Sequence, residues 1–164
     1  MKIAVATKPQ LAIVRDLAYT IWPSTYGKIL SQEQLNFMLD KFYNLNYLEN
    51  QLVNEKHVFL LFEENNTYLG FCAYELNCEF SNKTKLHKIY VLPETHGKGI
   101  GKMLLNTIEI IASEANNTGL FLNVNRYNNA QDFYKKLGYS IVKTIDIEIG
   151  NGYLMEDFVM EKEF

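Results

Sequence analysis

Residues 86–102 read LHKIYVLPETHGKGIGK, a hydrophobic run that Pro93 ends and a glycine-rich turn that follows it. After the turn, apolar residues recur at helical spacing at Met103, Leu104, Ile108 and Ile111. A turn between a strand and a helix points successive backbone N–H groups and the positive end of the helix dipole at one spot. The segment from His96 to Lys102 therefore predicts an anion site, and its glycines let a phosphate approach the backbone closely.

The spacing of the glycines excludes two other phosphate-binding turns. A P-loop has four residues between its glycines and then Lys followed by Ser or Thr, whereas Gly97 and Gly101 enclose three residues and Met103 follows Lys102. The dinucleotide fingerprint has a third glycine three residues after its second one, a place that Lys102 occupies here. A tight turn in an unrelated fold remains the alternative.

Helical periodicity predicts three helices upstream of the turn. The first follows Thr7 and Pro9 and is expected to end at Pro23. The second begins at Ser31, which has capping-box spacing with Gln34, and extends to about residue 43. The third is short and lies near residues 48–52.

Runs of β-branched and aromatic residues predict strands at 3–6, an antiparallel meander at 58–63, 68–76 and 86–92, and a further strand at 120–124. A helix over 129–137 and a long hairpin that turns at 150–152 follow. Because a strand that passes through a helix to a neighbouring strand needs a right-handed crossover, the pair around the glycine-opened helix is expected to be parallel. This order predicts an α/β fold with a mixed, mostly antiparallel sheet of about seven strands and helices on both faces.

Length and composition fit one domain over residues 1–164, with 48% hydrophobic and 21% charged residues. A net charge of -3 gives no overall field that would attract nucleic acid. No apolar run approaches a membrane span and the first residues cannot form a signal peptide, so a soluble, cytoplasmic protein is expected, without a nucleic-acid or membrane partner.

Cysteine and histidine spacing gives no support for a disulfide or a metal. Cys72 and Cys78 are six residues apart in extended chain, too far to bridge, and are expected to be reduced thiols. His57, His87 and His96 lack HExxH or CxxC spacing, so no metal site is predicted.

The glycine turn resembles motif A of the GNAT family of N-acetyltransferases, Gln/Arg-x-x-Gly-x-Gly/Ala after a strand. Gly99 and Gly101 occupy the two glycine places, and His96 replaces the usual Gln or Arg. A second block, residues 125–130 and then 133–139, resembles the family's motif B at the family separation. The resemblance covers about residues 58–164, and the first helices match by position only.

The resemblance implies a GNAT-like fold and transfer of an acetyl group from acetyl-CoA, as cosubstrate, to a primary amine. The backbone of the turn would bind the CoA diphosphate, and Lys98 and Lys102 would add positive charge. The backbone N–H of Val91 would donate to the thioester oxygen. Motif B often has Asn where this chain has Tyr127, so Asn128 or Asn125 would take that contact. The implied cofactor-binding residues are Ile89, Tyr90, Val91, His96, Gly97, Lys98, Gly99, Ile100, Gly101, Lys102, Asn125 and Asn128. The Ile100 side chain is expected to pack inward.

By the same resemblance, Tyr134 matches the tyrosine that donates a proton or a hydrogen bond to the departing CoA thiolate. An amine with a pKa of about 10.4 must lose a proton before it attacks. Many relatives have a glutamate where this chain has His87. A histidine side chain has an unperturbed pKa of about 6.5, so it can accept a proton near neutral pH. His87 is therefore the first candidate base and Glu75 the second, and a strand histidine that is merely hydrogen-bonded is the alternative for His87.

In this family the first helices and the loop between them choose the acceptor, here residues 22–26 with Phe37, Phe42 and Tyr43, although such aromatic residues are more often part of the core than of a pocket. The chain is similar to bacterial polyamine-type acetyltransferases, and the implied acceptor is a small amine such as a polyamine, or a peptide N-terminus. An acidic pocket from Glu33, Glu75 or Glu79 would suit a polycation, although surface carboxylates are common. A non-catalytic acyl-CoA sensor or interaction module is the alternative function, and a homodimer is a family tendency that this sequence does not decide.

Overall fold

The computed structural model describes all residues from Met1 to Phe164. The strands are β1 (Lys2–Val5), β2 (Val58–Glu64), β3 (Thr67–Glu75), β4 (Thr84–Val91), β5 (Gly119–Asn125), β6 (Ser140–Gly150) and β7 (Tyr153–Glu163). The α-helices are α1 (Leu11–Tyr26), α2 (Gln32–Phe42), α3 (Leu45–Val53), α4 (Ile100–Glu114) and α5 (Ala130–Lys136). The seven strands form one sheet in the order β1-β2-β3-β4-β5-β7-β6.

The sheet is antiparallel except for the pair β4 and β5, which is parallel and joined through α4. This confirms the meander and the crossover that the sequence predicts. The hairpin of β6 and β7 turns at Gly150, Asn151 and Gly152, all of which have positive φ values, also as predicted.

Each face of the sheet buries its own apolar core. On one face α1, α2 and α3 cover a core that includes Leu48, Phe59 and Phe71. On the other face α4 and α5 cover a core that includes Leu104 and Leu120. Full burial of such side chains stabilises the fold by roughly 1.5–3 kcal/mol each, so the two cores hold the helices firmly on the sheet.

The prediction that α1 ends at Pro23 is wrong, because the helix continues through Pro23 to Tyr26. A proline inside a helix removes one backbone hydrogen bond. Burial of Ile21 and Trp22, which are 2% and 4% exposed, offsets that loss. The hydroxyls of Ser24 and Thr25 also donate to the Ile21 carbonyl within the same turn.

The second helix begins as predicted, with the Ser31 hydroxyl accepting from the Gln34 N–H at 3.1 Å. The Gln34 side chain donates instead to the Leu154 carbonyl at 3.0 Å and so ties α2 to β7. Cys72 and Cys78 are free and buried, in agreement with the prediction. None of the helices combines the length and hydropathy that a membrane crossing requires.

Candidate functional site

A gap between β4 and β5 forms the centre of the site. Their parallel pairing ends at Leu86 and Leu122, although β4 continues to Val91 and β5 to Asn125. In β4 the register shifts so that Leu86 pairs with Tyr74 and Lys88 with Ala73, which leaves His87 as a bulge. A bulge turns its strand away from the regular ladder, and here the two strands part beyond it.

Two cavities open into this gap. The first, of about 620 Å³, is bounded by the glycine turn, the start of α4, the end of α1, β4, β5 and α5. The second, of about 220 Å³, lies among α1, α2, α3, β4, β5 and β7. The two cavities share part of their lining and therefore lie side by side along β4 and β5. The shared residues are Tyr26, His87, Lys88, Tyr90 and Asn123.

The glycine turn offers unpaired backbone donors to the first cavity. Gly97 and Gly99 have φ values of 85° and 77°, a region that other residues adopt only with strain. Gly99 caps α4, and helix geometry leaves the N–H groups of Ile100, Gly101 and Lys102 without partners inside the helix. These donors and the helix dipole make the turn suitable for a phosphate group.

Most of the predicted cofactor-binding residues line the first cavity. They are Ile89, Tyr90, Val91, His96, Gly97, Gly99, Ile100, Gly101, Lys102 and Asn128. Lys98 is exposed and lies outside that lining, and Asn125 lines the second cavity from β5. For these two residues a cofactor contact stays a prediction. The Ile100 side chain is 3% exposed, so the prediction that it packs inward is confirmed.

The backbone of Val91 faces the gap. Leu92 donates to the Leu69 carbonyl at 2.8 Å, and bonded pairs alternate along an antiparallel ladder. The neighbouring pair of Val91 and Gly70 is therefore a non-hydrogen-bonded one. The Val91 N–H consequently points towards β5, where the pairing has ended.

Tyr134 lies on α5 and lines the first cavity. It is 6% exposed, and its ring packs against Phe133 and Tyr139 with centroids 5.2 and 5.9 Å away. Burial raises the pKa of Tyr134 above its usual value, so the group is a neutral phenol at neutral pH. It can donate a proton or a hydrogen bond into the cavity.

His87 belongs to a cluster with Glu75 and His57. The His87 Nε2 lies 3.0 Å from the Glu75 Oε2, and the His57 ring stacks on the His87 ring with centroids 3.8 Å apart. Burial and then the neighbouring His57 lower the pKa of His87 to about 2. Burial and two lysines lower the pKa of His57 to about 4. Both imidazoles are therefore neutral at neutral pH.

Possible ligand atoms of His57, Glu75 and His87 lie within 4.8 Å of one another, a proximity that the sequence spacing did not predict. The rings are inclined by only 22° and stacked, whereas an ion shared by two imidazoles must lie near the plane of each ring. Lys85 and Lys88 also lower the pKa values of both histidines and would repel a cation. The arrangement favours a hydrogen-bonded cluster over a metal centre.

The second cavity is largely aromatic. Its aromatic lining consists of Trp22, Tyr26, Phe42, Tyr43, Tyr47 and Tyr90. Of the aromatic residues that the sequence analysis named for the acceptor side, Phe37 lies outside this cavity and packs against Tyr153. Trp22 and Tyr43 line the cavity and also belong to the core. Rings in this arrangement can attract a cationic group through their faces.

Asp157 on β7 is the only carboxylate that lines the second cavity. It is 5% exposed, and burial raises its pKa from 3.8 to about 6. The sequence analysis missed this residue, which follows Glu156 within the otherwise apolar stretch from Leu154 to Met160. Glu33 and Glu79 are exposed and line neither cavity, as ordinary surface carboxylates do, and Glu75 lies beside His87 outside both linings.

Lys88 also lines both cavities and was not singled out from the sequence. Its Nζ donates to the Gln51 Oε1 at 2.9 Å, and burial lowers the pKa of this lysine to about 8. Lys88 is therefore mostly charged at neutral pH, and its burial as a charged group lowers the free energy of unfolding.

Comparison with known proteins gives consistent matches. Residues 14–139 match the model of a family described as the acetyltransferase (GNAT) family. Spermidine N(1)-acetyltransferase of Thermoplasma acidophilum is 29% identical over 154 residues, which cover 91% of this chain and 88% of that protein. The [ribosomal protein bS18]-alanine N-acetyltransferase of Haemophilus influenzae is 31% identical over 88 residues, 54% of this chain and 58% of that protein.

Solved structures share the fold along the whole chain. The crystal structure of PaiA N-acetyltransferase from Thermoplasma acidophilum in complex with coenzyme A has a TM-score of 0.80 at 27% identity, and both chains are covered in full. A structure from Rhodopseudomonas palustris has a TM-score of 0.84 at 17% identity, over 99% of this chain and 95% of that one, and shows the common fold.

Proposed function

The chain belongs to the acetyltransferase (GNAT) family and uses acetyl-CoA, and from that premise we propose that it acetylates a primary amine, either of a polyamine or of a peptide N-terminus. In this proposal residues 1–164 act as one domain. The main support for this proposal is that two cavities adjoin where β4 and β5 part. The first cavity lies at the glycine turn, and the second is lined by aromatic residues and one carboxylate.

The first cavity is the proposed place of acetyl-CoA. The N–H groups of Gly97 and of Gly99 to Lys102 would hold the diphosphate, because they lack backbone partners and the dipole of a 15-residue helix adds to them. The Lys98 N–H already donates to the Thr95 carbonyl. The Lys102 side chain would add charge. The Val91 N–H, which faces the gap, would donate to the thioester oxygen as negative charge develops on it.

Tyr134 is the proposed proton donor to the leaving thiolate. Its position in the first cavity and its neutral phenol support this role. For the base, His87 and Glu75 stay candidates, since His87 lines both cavities and contacts Glu75. The low pKa of His87 counts against it, because an imidazole with a pKa of about 2 holds an accepted proton weakly.

The acceptor would enter the second cavity. Two relatives support the proposed substrate classes, since one is named for spermidine and the other for the alanine of a ribosomal protein. An aromatic lining with one buried carboxylate suits an ammonium group of either kind. The alternative, a non-catalytic acyl-CoA sensor, predicts binding of acetyl-CoA without turnover.

The test is a CoA-thiol release assay with acetyl-CoA over a panel that contains spermidine, putrescine and a peptide that begins with alanine. Product mass should increase by one acetyl group for at least one amine. Isothermal titration with acetyl-CoA is the parallel measurement. Tight acetyl-CoA binding without thiol release for any amine would favour the sensor.

A homodimer and a cytoplasmic location stay predictions from the sequence. The sheet has two edge strands, β1 and β6, to which a second copy could add. Light scattering coupled to gel filtration measures the oligomeric state directly.

A further inference from the structure

Asp157 is a buried carboxylate that no cation of the protein pairs with. It lies on β7 opposite Asn125 of β5 and Ile145 of β6, and its side chain lines the second cavity. With 5% of its surface exposed, it is among the few buried ionisable residues of this chain. A charge in such a place is costly unless a partner compensates for it.

The charged and titratable groups that face Asp157 come from several elements. Burial raises the pKa of Asp157, whereas Asn123, Arg126, which follows β5, and Lys85 on β4 lower it. Asp157 in turn raises the pKa of Tyr26 on α1.

None of the nearby cations forms an ion pair with Asp157, although the buried Arg126 Nε has no hydrogen-bond partner of its own. The Arg126 guanidinium forms an ion pair with Asp146, and the Lys85 Nζ lies over the Phe121 ring at 5.6 Å. Lys88 donates to Gln51, and the imidazoles of the cluster are neutral at neutral pH. The remaining titratable groups of the second cavity are phenols. The carboxylate is thus free to receive a cation from outside the protein.

We propose that Asp157 binds the ammonium group of the acceptor in the second cavity and removes one proton from it before the amine attacks. This inference rests on the proposed function. The carboxylate takes the proton from R–NH3⁺ and leaves R–NH2, whose lone pair forms the new C–N bond as the C–S bond breaks. Tyr134 gives its proton to the CoA thiolate and recovers one from the nitrogen as the amide forms, so one proton in total leaves through Asp157.

The position of Asp157 suits this role better than that of the other two candidates. Glu75 lines neither cavity and is occupied by the His87 Nε2 at 3.0 Å. Asp157 opens onto the aromatic cavity, whose rings can hold the organic cation around it. A carboxyl group that titrates at about 6 is ionised at neutral pH and still accepts a proton readily.

The experiment compares Asp157→Asn with wild type in thiol release with spermidine and with the peptide that begins with alanine. Because general-base catalysis contributes roughly 10²–10⁴-fold, kcat/KM for the amine should fall by at least about 100-fold. The acidic limb of the pH profile, near pH 6 in wild type, should disappear. Acetyl-CoA affinity should stay within about twofold, and Asp157→Glu should restore part of the activity.

Two controls separate this role from a structural one. Glu148→Gln changes an exposed carboxylate on the neighbouring strand β6 and should keep wild-type kinetics. His87→Gln should retain the acidic limb if Asp157 is the base. Wild-type kcat/KM and an unchanged acidic limb in Asp157→Asn would overturn the inference while leaving the proposed function intact.

A binding arm covers the case in which wild type acetylates none of these amines. Calorimetry then titrates spermidine into the CoA-loaded protein, and Asp157→Asn should weaken binding by at least about tenfold. Equal binding by the variant overturns the inference. Absence of both turnover and amine binding in wild type overturns it together with the proposed function.

Discussion

The hydroxyl of Tyr26 lies 2.8 Å from the hydroxyl of Tyr90 and so joins α1 to β4 where the two cavities meet. Their ring centroids are 6.3 Å apart in an edge arrangement. Burial raises the pKa of both phenols, so one hydroxyl donates and the other accepts at neutral pH. This contact fixes α1 against β4 at the junction of the two cavities.

Tyr26→Phe and Tyr90→Phe should each lower the free energy of unfolding by about 1 kcal/mol, since each leaves a buried hydroxyl without its partner. The double variant should cost clearly less than the sum of the two, with a coupling energy of about 1 kcal/mol. Urea unfolding measures all four proteins. Tyr68→Phe is the control, because the Tyr68 hydroxyl contacts Gln10 instead. Its loss of stability should add to that of Tyr26→Phe. Additive losses for Tyr26→Phe and Tyr90→Phe would contradict the contact between them.

Tyr134→Phe should lower kcat by roughly 10²–10³-fold, since loss of a general acid has effects of this order. Acetyl-CoA affinity should change by less than about twofold, because the ring and its packing stay. Steady-state thiol release and calorimetry measure the two quantities. Tyr139→Phe is the matched control. It loses a 2.8 Å bond to Glu109 and should reduce stability while keeping kcat.

Gly99→Ala should lower the free energy of unfolding by about 1–2 kcal/mol in the absence of ligand. Gly99 has a φ of 77°, and nothing lies within 4 Å of a Cβ added there. The loss of stability would therefore come from the backbone alone, because an L-residue is strained in the left-handed region. Gly101→Ala is the control, since its Cβ would make ordinary contacts at 3.7 and 3.9 Å and alanine favours a helix. Thermal and urea unfolding compare the two, and equal losses would refute the explanation by backbone strain.

Stability should fall as the pH is lowered from about 6.5 to 4. The unfolded chain protonates its histidines near 6.5, whereas buried His57 and His87, with pKa values of about 4 and 2, resist protonation. Each therefore removes up to about 1.4 kcal/mol per pH unit in that range. Asp157, whose pKa is raised to about 6, acts in the opposite direction and partly offsets this loss.

Urea unfolding between pH 7.5 and pH 4.5, in steps of about half a unit, tests this dependence. His57→Gln and His87→Gln should each flatten the fall in stability, and Asp157→Asn should make it steeper. Thr67→Ser, an exposed change on β3, should keep the wild-type slope. A wild-type slope in both histidine variants would show that the cluster is not the cause.

Local patterns predicted nearly all of the elements, because strands and helices differ in the spacing of their apolar residues. The failure at Pro23 shows the limit of such patterns. A proline rule considers only the backbone, whereas the burial of Trp22 depends on strands far along the chain. Likewise, the turn at Gly99 was predictable because its chemistry lies in consecutive backbone groups.

The sequence by itself determined the order of the elements, the glycine turn and the place of Tyr134 after β5, since these follow from local backbone preferences and from motifs of adjacent residues. Only the tertiary structure decided which side chains face the gap. One bulge at His87 and the parting of β4 from β5 bring together His87, Tyr26 and Asp157 from distant parts of the chain. No local rule specifies such a meeting, because the packing of whole strands and helices sets it.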